Sequence, residues 1–328
     1  MWLGWLALYT GHRFRSTQRF PTHTHCRQRA APPPRLNLVP AKRSNSWYCP
    51  VALGILLLTA PIGPSVAPLR AAAQQSAPSH ATIELIADRG ASSSTHHLDL
   101  GLLFHLDPGW HIYWQNPGDS GEPPKIDWRL PPGFRAGAIE WPSPKHLGSG
   151  SIIDYGYEDR VLLMTPITPP AAVAKLTAPV QFIADVEYIV CREICVPGKQ
   201  HLALSLPDID AAQARQWRHL FTIAQSELPK PVPPQWRISA TSAGADFVVT
   251  IAGVDPPKTA TFFPEDPGII DNSAPQVLAS ASHGFRLTLK KSDQLSLQPI
   301  RLRGVLAMEG TGAYQIAVPV SARSSPDK

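Results

Sequence analysis

The sequence predicts an all-β protein: two β-sandwich domains joined by one short helix and a Pro-rich linker. Three observations carry this. Short apolar or alternating runs recur along the chain, each bounded by Pro, Gly or Asp, the pattern of strands separated by turns. The 36 prolines among 328 residues disfavour long helices. One stretch alone changes its apolar period from 2 to 3.6, and it falls between two groups of strand-like runs.

In chain order, residues 1–73 read as a leader. The apolar core 51–61 follows Lys42 and Arg43, and Leu69-Arg70-Ala71-Ala72-Ala73 supplies small residues at A-x-A spacing. That is the order of a secretory signal. The core is shorter than the ~20 residues of a membrane span, so cleavage after Ala73 predicts an exported chain with no span of its own. The first 40 residues, rich in Arg, His and Pro, are longer than an ordinary n-region. Nine of the 30 Lys/Arg and none of the 25 Asp/Glu lie in the leader, which leaves 21 bases against 25 acids and a net charge of −4. A weakly acidic exported protein has no electrostatic footprint for nucleic acid.

The first domain is expected over 78–207, with strands at 81–90, 98–106, 160–168, 179–190 and 199–206. In 208–227, Ile209, Ala212, Trp217, Leu220, Phe221 and Ala224 recur at helical spacing, with Asp208 as N-cap. Leu228–Pro234 (LPKPVPP) reads as a stiff linker, so 208–234 joins the domains. The second domain is expected over 235–322, with strands at 236–241, 246–252, 285–290, 299–307 and 313–320. No internal repeat, phosphate loop or GxSxG elbow occurs.

The chemistry concentrates in Cys191-Arg-Glu-Ile-Cys195. The other two cysteines, Cys26 and Cys49, fall in the leader. The pair lies at or beside a hairpin end, with Pro197-Gly198 suited to the centre of a type II turn. Across such a turn the Cα atoms can approach the ~5.5–6 Å of a disulfide. A loop of about five residues removes little chain entropy, at most ~2 kcal/mol. Arg192 favours a thiolate and Glu193 opposes it. From spacing and compartment alone the pair stays open between a structural disulfide, a redox pair and a metal site. His201 and His146 are the residues that could complete a copper site. The motif is CxxxC after a strand, unlike the CxxC that opens a thioredoxin helix.

The segment YIVCREICVPGK resembles the cysteine segment of the periplasmic N-terminal domain of DsbD-type thiol:disulfide interchange proteins, and within them the ScsB-like branch. Upstream, Gly109–Gly121 (GWHIYWQNPGDSG) is similar to that branch's aromatic and NPGDSG block. Ile126-Asp127-Trp128, Glu140-Trp141-Pro142 and Asp154-Tyr155-Gly156-Tyr157-Glu158 match further landmarks, and Thr261–Asp266 (TFFPED) resembles part of its second β-domain. The resemblance covers most of 80–322. It implies an immunoglobulin-like fold, periplasmic localisation, and electron transfer by thiol–disulfide exchange through Cys191 and Cys195, with Cys195 forming the mixed disulfide. The implied activity is that of a protein-disulfide reductase-like module. Implied partners are thioredoxin-fold proteins and a membrane thiol reductase; no cofactor or metal is implied. In the family a cap loop shields the cysteines. Asp154–Glu158 is its best counterpart, with Tyr155 and Tyr157 over the sulfurs and Gly156 giving mobility; both tyrosines equally suit a strand edge or core. His111 and Tyr113 match positions near the family's cysteines.

Two departures qualify the resemblance. Family members continue into membrane helices and a C-terminal thioredoxin-like domain, which this sequence lacks up to Lys328, so a separate membrane protein is expected to reduce it. The family's best-known members also space the cysteines more widely. Two rivals remain: an exported binding protein with a structural disulfide, presenting Trp110, Trp114, Trp128 and Trp141 as a surface, and a copper-handling protein, the branch being one of copper tolerance.

Overall fold

Side-chain alternation along the strands builds the layers. The computed structural model describes residues 79–88, 98–148, 150–170, 179–206 and 210–322. The leader, with its signal and with Cys26 and Cys49, lies outside them, as does Asp208. In order, the elements are β1 (Ala81–Asp88), β2 (Leu98–Leu106), β3 (His111–Gly118), β4 (Lys125–Arg129), β5 (Arg135–Ala136), β6 (Lys145–Leu147), β7 (Asp154–Glu158), β8 (Arg160–Thr168), β9 (Val180–Cys191) and β10 (Cys195–Leu206). There follow α1 (Ala211–Glu227), β11 (Lys230–Pro231), β12 (Arg237–Ala243), β13 (Asp246–Ala252), β14 (Ala260–Pro264), β15 (Val277–Ala281), β16 (Gly284–Lys290), β17 (Arg301–Met308) and β18 (Gly312–Ala322).

Among the described residues the protein is all-β apart from α1 and forms an immunoglobulin-like sandwich followed by a second β-sandwich. In the first, the sheet β1-β2-β8-β5 faces the sheet β10-β9-β3-β7-β6, with β4 pairing along β9. Strand β2 (LDLGLLFHL) is buried at every position but His105. It lies between the facing sheet and the helix, whose Trp217, Phe221 and Ala224 are buried. Gly101 in β2 makes room for that helix, since a Cβ there would sit 2.9 Å from Phe221 Cζ. Strand β9 alternates cleanly: Phe182, Ala184, Val186, Tyr188 and Val190 enter the core, and the odd-numbered residues face outward.

The second sandwich is one hydrogen-bonded path, β14-β17-β18-β12-β13-β16-β15. Strand β18 belongs to both halves: residues 312–319 pair with β17, and Val320–Ala322 pair in parallel with β12. Phe247, Val249, Ile251, Phe285 and Leu287 from one half meet Phe262, Leu302, Leu306 and Ile316 from the other.

Several local expectations are corrected. The N-cap of α1 is Asp210, whose carboxylate accepts from Ala212 N (2.7 Å) and Gln213 N (2.8 Å). Ala212 of the expected apolar stripe is exposed. The linker is not a bare spacer: Lys230 and Pro231 pair with Tyr314 and Gln315 as β11. Strands β3, β4, β5, β6, β7, β14 and β15 also add to those expected. Trp110 and Trp114 are buried and Trp128 and Trp141 pack against the same core, so the four do not make an aromatic surface. Pro197 and Gly198 lie inside β10, paired with Ile189 and Tyr188. Gly198 is required there because a Cβ would fall 2.3 Å from Tyr188 Cζ.

The two sandwiches share an aromatic seam. Phe263 meets Trp114, Tyr155 and His146 edge-on, with ring centroids at 6.4, 5.3 and 4.9 Å. Polar bonds flank it: Asn116 Nδ2 donates to Pro264 O (2.7 Å), and Asn272 Nδ2 donates to Asp119 Oδ1 (2.7 Å).

Asp210→Ala is expected to destabilise the protein by about 1 kcal/mol through loss of the cap, read from the urea midpoint; an unchanged midpoint counts against capping. His146, exposed on its outer side, stacks on Tyr155 (5.2 Å), and burial among these rings lowers its pKa. Below the ordinary imidazole value of ~6.5, the unfolded chain binds a proton that the folded one resists, so this part of the stability is lost as pH falls. The His146→Phe variant should therefore lose less stability than wild type between about pH 7.5 and 5.5, measured by urea unfolding at each pH.

Candidate functional site

The tight turn of the β9–β10 hairpin is the cysteine loop itself. Cys191 and Cys195 are the terminal cross-strand pair, joined by a disulfide with Cα atoms 4.1 Å apart. Arg192 N–H donates to Ile194 O (3.0 Å) inside the loop. The Arg192 guanidinium lies over Trp110, 5.5 Å from the ring centroid, and His80 stacks on that ring at 3.7 Å. The loop is thereby held to the turn between β2 and β3. The two cysteines are unequal in access: Cys191 is only 2% exposed, whereas Cys195 is exposed. Ile194 beside it is 65% exposed.

Register then fixes what surrounds the pair. His111 is the cross-strand partner of Cys191, and across β3 it faces Glu158 of β7. Tyr113 pairs with Gly156. Directly opposed residues share a face, so Cys191, Cys195, His111, Tyr113, Gly156, Asp154 and Glu158 project from one side of the sheet. Tyr155 and Tyr157 project from the other. This corrects the expected cap. Tyr155 is fully buried and donates to Asn272 Oδ1 (2.7 Å); Tyr157 donates to Pro142 O (2.8 Å). Burial raises the pKa of both phenols. They are core residues, because a strand cannot turn residues 155 and 157 to the face that carries 154 and 156. Gly156 confers no loop mobility: a Cβ there would fall 2.0 Å from Ile112 O, so the glycine permits close approach of β3.

What lies against the site is the segment that leaves β3. A Cβ on Gly121 would sit 2.1 Å from Tyr113 Cζ, which places this backbone flat on the phenol ring. Gly121 (φ 71°) and Gly118 (φ 88°) take left-handed conformations. Ser120 donates through its N–H to Asp154 Oδ1 and through its hydroxyl to Asp154 Oδ2, both at 3.0 Å. Asp119 Oδ2 accepts from Ile153 N (2.8 Å). His111 Nε2 lies 3.5 Å from Asp154 Oδ2, within ion-pair reach but without hydrogen-bond alignment.

Tyr113 links this network to sulfur. Its hydroxyl lies 3.3 Å from Ser120 Oγ and 3.8 Å from Cys195 Sγ. Burial raises its pKa, the Ser120 hydrogen bond opposes that shift, and the charge of Asp154 adds to it. Ser120 was visible in the NPGDSG block, but nothing in its spacing shows that the chain folds back onto Tyr113.

The two histidines named for copper lie elsewhere. His201 pairs with Asp185, six residues along β10 from Cys195. His146 faces the aromatic seam, on the opposite side of the sheet from the cysteines. Among the described residues no group of three His, Cys, Asp or Glu side chains could hold a metal, and no helix is long and apolar enough to cross a membrane.

The family described as thiol:disulfide interchange protein DsbD, N-terminal, matches residues 84–207. The fold is similar to the N-terminal periplasmic domain of ScsB from Proteus mirabilis, with a TM-score of 0.57 and 18% identity over 74% of this chain and 94% of that one. At that identity the likeness is one of fold. The yeast GGA1 GAE domain, at 12% identity and a TM-score of 0.24 over 40% of this chain and 96% of that one, is too distant to bear on the fold. No curated protein matches.

Replacing both cysteines by serine is expected to lower stability by no more than ~2 kcal/mol, given so short a loop. Urea unfolding against the oxidised wild type measures it; a much larger loss would mark the bond as a structural staple.

Proposed function

Residues 84–207 form a DsbD-type N-terminal domain, and on that premise we propose that this protein is a thiol–disulfide exchange module relaying reducing equivalents from a membrane thiol reductase to thioredoxin-fold proteins. Residues 78–207 are then the redox domain, 208–234 the connection, and 235–322 a second sandwich that buttresses it. The leader 1–73 exports the chain to the periplasm, where disulfides persist. The observation that carries this is a small-loop disulfide with Cys195 exposed and Cys191 buried, inside the segment that matches the family.

In the reduced protein the Cys195 thiolate attacks the accessible sulfur of a partner's disulfide. A Cys195–partner bond forms and the partner's second sulfur leaves as a thiolate. The Cys191 thiolate then attacks Cys195 Sγ, closes the Cys191–Cys195 bond and releases the partner's first thiolate. Two electrons have passed to the partner, and the membrane reductase restores the dithiol by the reverse sequence. The burial of Cys191 suits it to resolve rather than to attack. His111, Tyr113, Asp154 and Glu158 surround the pair, and Ile194 offers an apolar contact to the partner.

Trapping tests this. Cys191→Ser is expected to accumulate a mixed disulfide with a thioredoxin-fold protein through Cys195, and Cys195→Ser is not. Absence of any adduct, together with a reduction potential well below about −300 mV, would establish the disulfide as structural instead.

A further inference from the structure

We propose that Tyr113 is a positioning residue for the exchange reaction: its hydroxyl turns from Ser120 to Cys195 as that sulfur becomes a thiolate, and so sets how readily the thiolate forms. The proposal rests on the exchange reading above and adds to it a specific donor and a competition for its proton. The geometry is a short chain of polar groups. Asp154, mostly buried, accepts from both the N–H and the hydroxyl of Ser120. A carboxylate has no proton to give, so the single Ser120 hydroxyl proton is committed to it. Toward Tyr113 the Ser120 oxygen can then only accept. The Tyr113 proton has two acceptors within reach, Ser120 Oγ at 3.3 Å and Cys195 Sγ at 3.8 Å.

Which acceptor holds the proton depends on the redox state. A disulfide sulfur is a weak acceptor, so in the oxidised protein Ser120 holds the hydrogen bond. A thiolate carries a full charge, and hydrogen bonds to charged groups are about twice as strong as neutral ones. Reduction and ionisation of Cys195 therefore draw the hydroxyl across. The phenol itself remains protonated, since its burial and the nearby Asp154 both disfavour ionisation. Tyr113 is fully buried and its ring is held by Gly121, so only the hydroxyl proton needs to swing about the C–O bond.

Other charged groups face the same pair. Arg192 and Glu193 belong to the loop, His111 to β3, Asp154 and Glu158 to β7, and Lys145 to β6; Asp119 and Glu122 flank the segment over Tyr113. Tyr113→Phe leaves all of them in place; Ser120→Ala keeps the Ser120 N–H bond to Asp154 but removes the hydroxyl bond to it, so Tyr113→Phe is the variant that isolates the phenol hydroxyl.

Titration of Cys195 by its rate of alkylation with iodoacetamide, in the Cys191→Ser background, tests this without a partner protein. Tyr113→Phe keeps the ring and is expected to raise the Cys195 pKa by about one unit, a tenfold shift in ionisation. Ser120→Ala removes the competing acceptor and is expected to shift the pKa the opposite way. Exchange with a small aromatic disulfide gives a second readout. Thiolate fraction and intrinsic nucleophilicity change in opposite directions, so Tyr113→Phe should be about threefold slower well below the pKa and about threefold faster well above it. A merely structural loss would slow both limbs and move the urea midpoint. An unchanged pKa in Tyr113→Phe, or a rise in Ser120→Ala equal to that in Tyr113→Phe, overturns the proposal and leaves the exchange reading standing. Failure of the exchange reading shows separately, as absence of trapped partner.

Discussion

The double hydrogen bond from Ser120 to the Asp154 carboxylate is the contact on which the site depends. It fastens the segment leaving β3 to the strand that β3 already pairs with. It brings Gly121 down on Tyr113 and leaves the Tyr113 hydroxyl between Ser120 and the exposed cysteine. The adjacent Asp119 repeats the device on the other side, accepting from Ile153 N and from Asn272 of the second sandwich. One short peptide thus holds the site closed toward the cysteines and ties it to the neighbouring fold. Paired bonds to one carboxylate define an orientation as well as a distance, which a single bond would not.

The sheet separates two functions by parity. On β3, His111 and Tyr113 face the cysteines, while Ile112 and Trp114 face the core. On β7, Asp154 and Glu158 are on the cysteine side and Tyr155 and Tyr157 on the core side. Trp114 and Tyr155 extend to Phe263, so the strands that carry the cysteine site on one face carry the junction between sandwiches on the other. Buried rings of this size make the backbone stiff where the cysteines need fixed neighbours.

The hairpin completes the arrangement. Twelve residues of β9 pair with twelve of β10, and this ladder together with the core holds the hairpin without the disulfide. The bond closes so few residues that its making and breaking alters chain entropy little. The fold can therefore persist in both redox states, which a shuttling cysteine pair requires and a structural staple does not.

Much of this was legible in the sequence. The period-2 runs, the helix and the cysteine pair on a hairpin follow from local spacing, because strand and helix periods are properties of consecutive residues, and the NPGDSG block was marked by the family resemblance. Local chemistry misled at two points and the resemblance at a third. Pro197-Gly198 has the composition of a turn, yet the closure at Cys191–Cys195 places the turn earlier and leaves Gly198 as the gap under Tyr188. Asp208 and Asp210 are equally good caps by composition, and Asp210 holds the position. The tyrosines of Asp154–Glu158 looked like a cover for sulfur, but the pairing of β7 with β3 assigns residues 155 and 157 to the core. What the residues determined alone was ten of the strands, the helix and the hairpin setting of Cys191 and Cys195. What only the tertiary structure decided was which face each strand turns to the cysteines, and that Tyr113, beside Ser120, rather than Tyr155 reaches Cys195. Register is set by partners far away in sequence, and a shift of one residue exchanges the two faces.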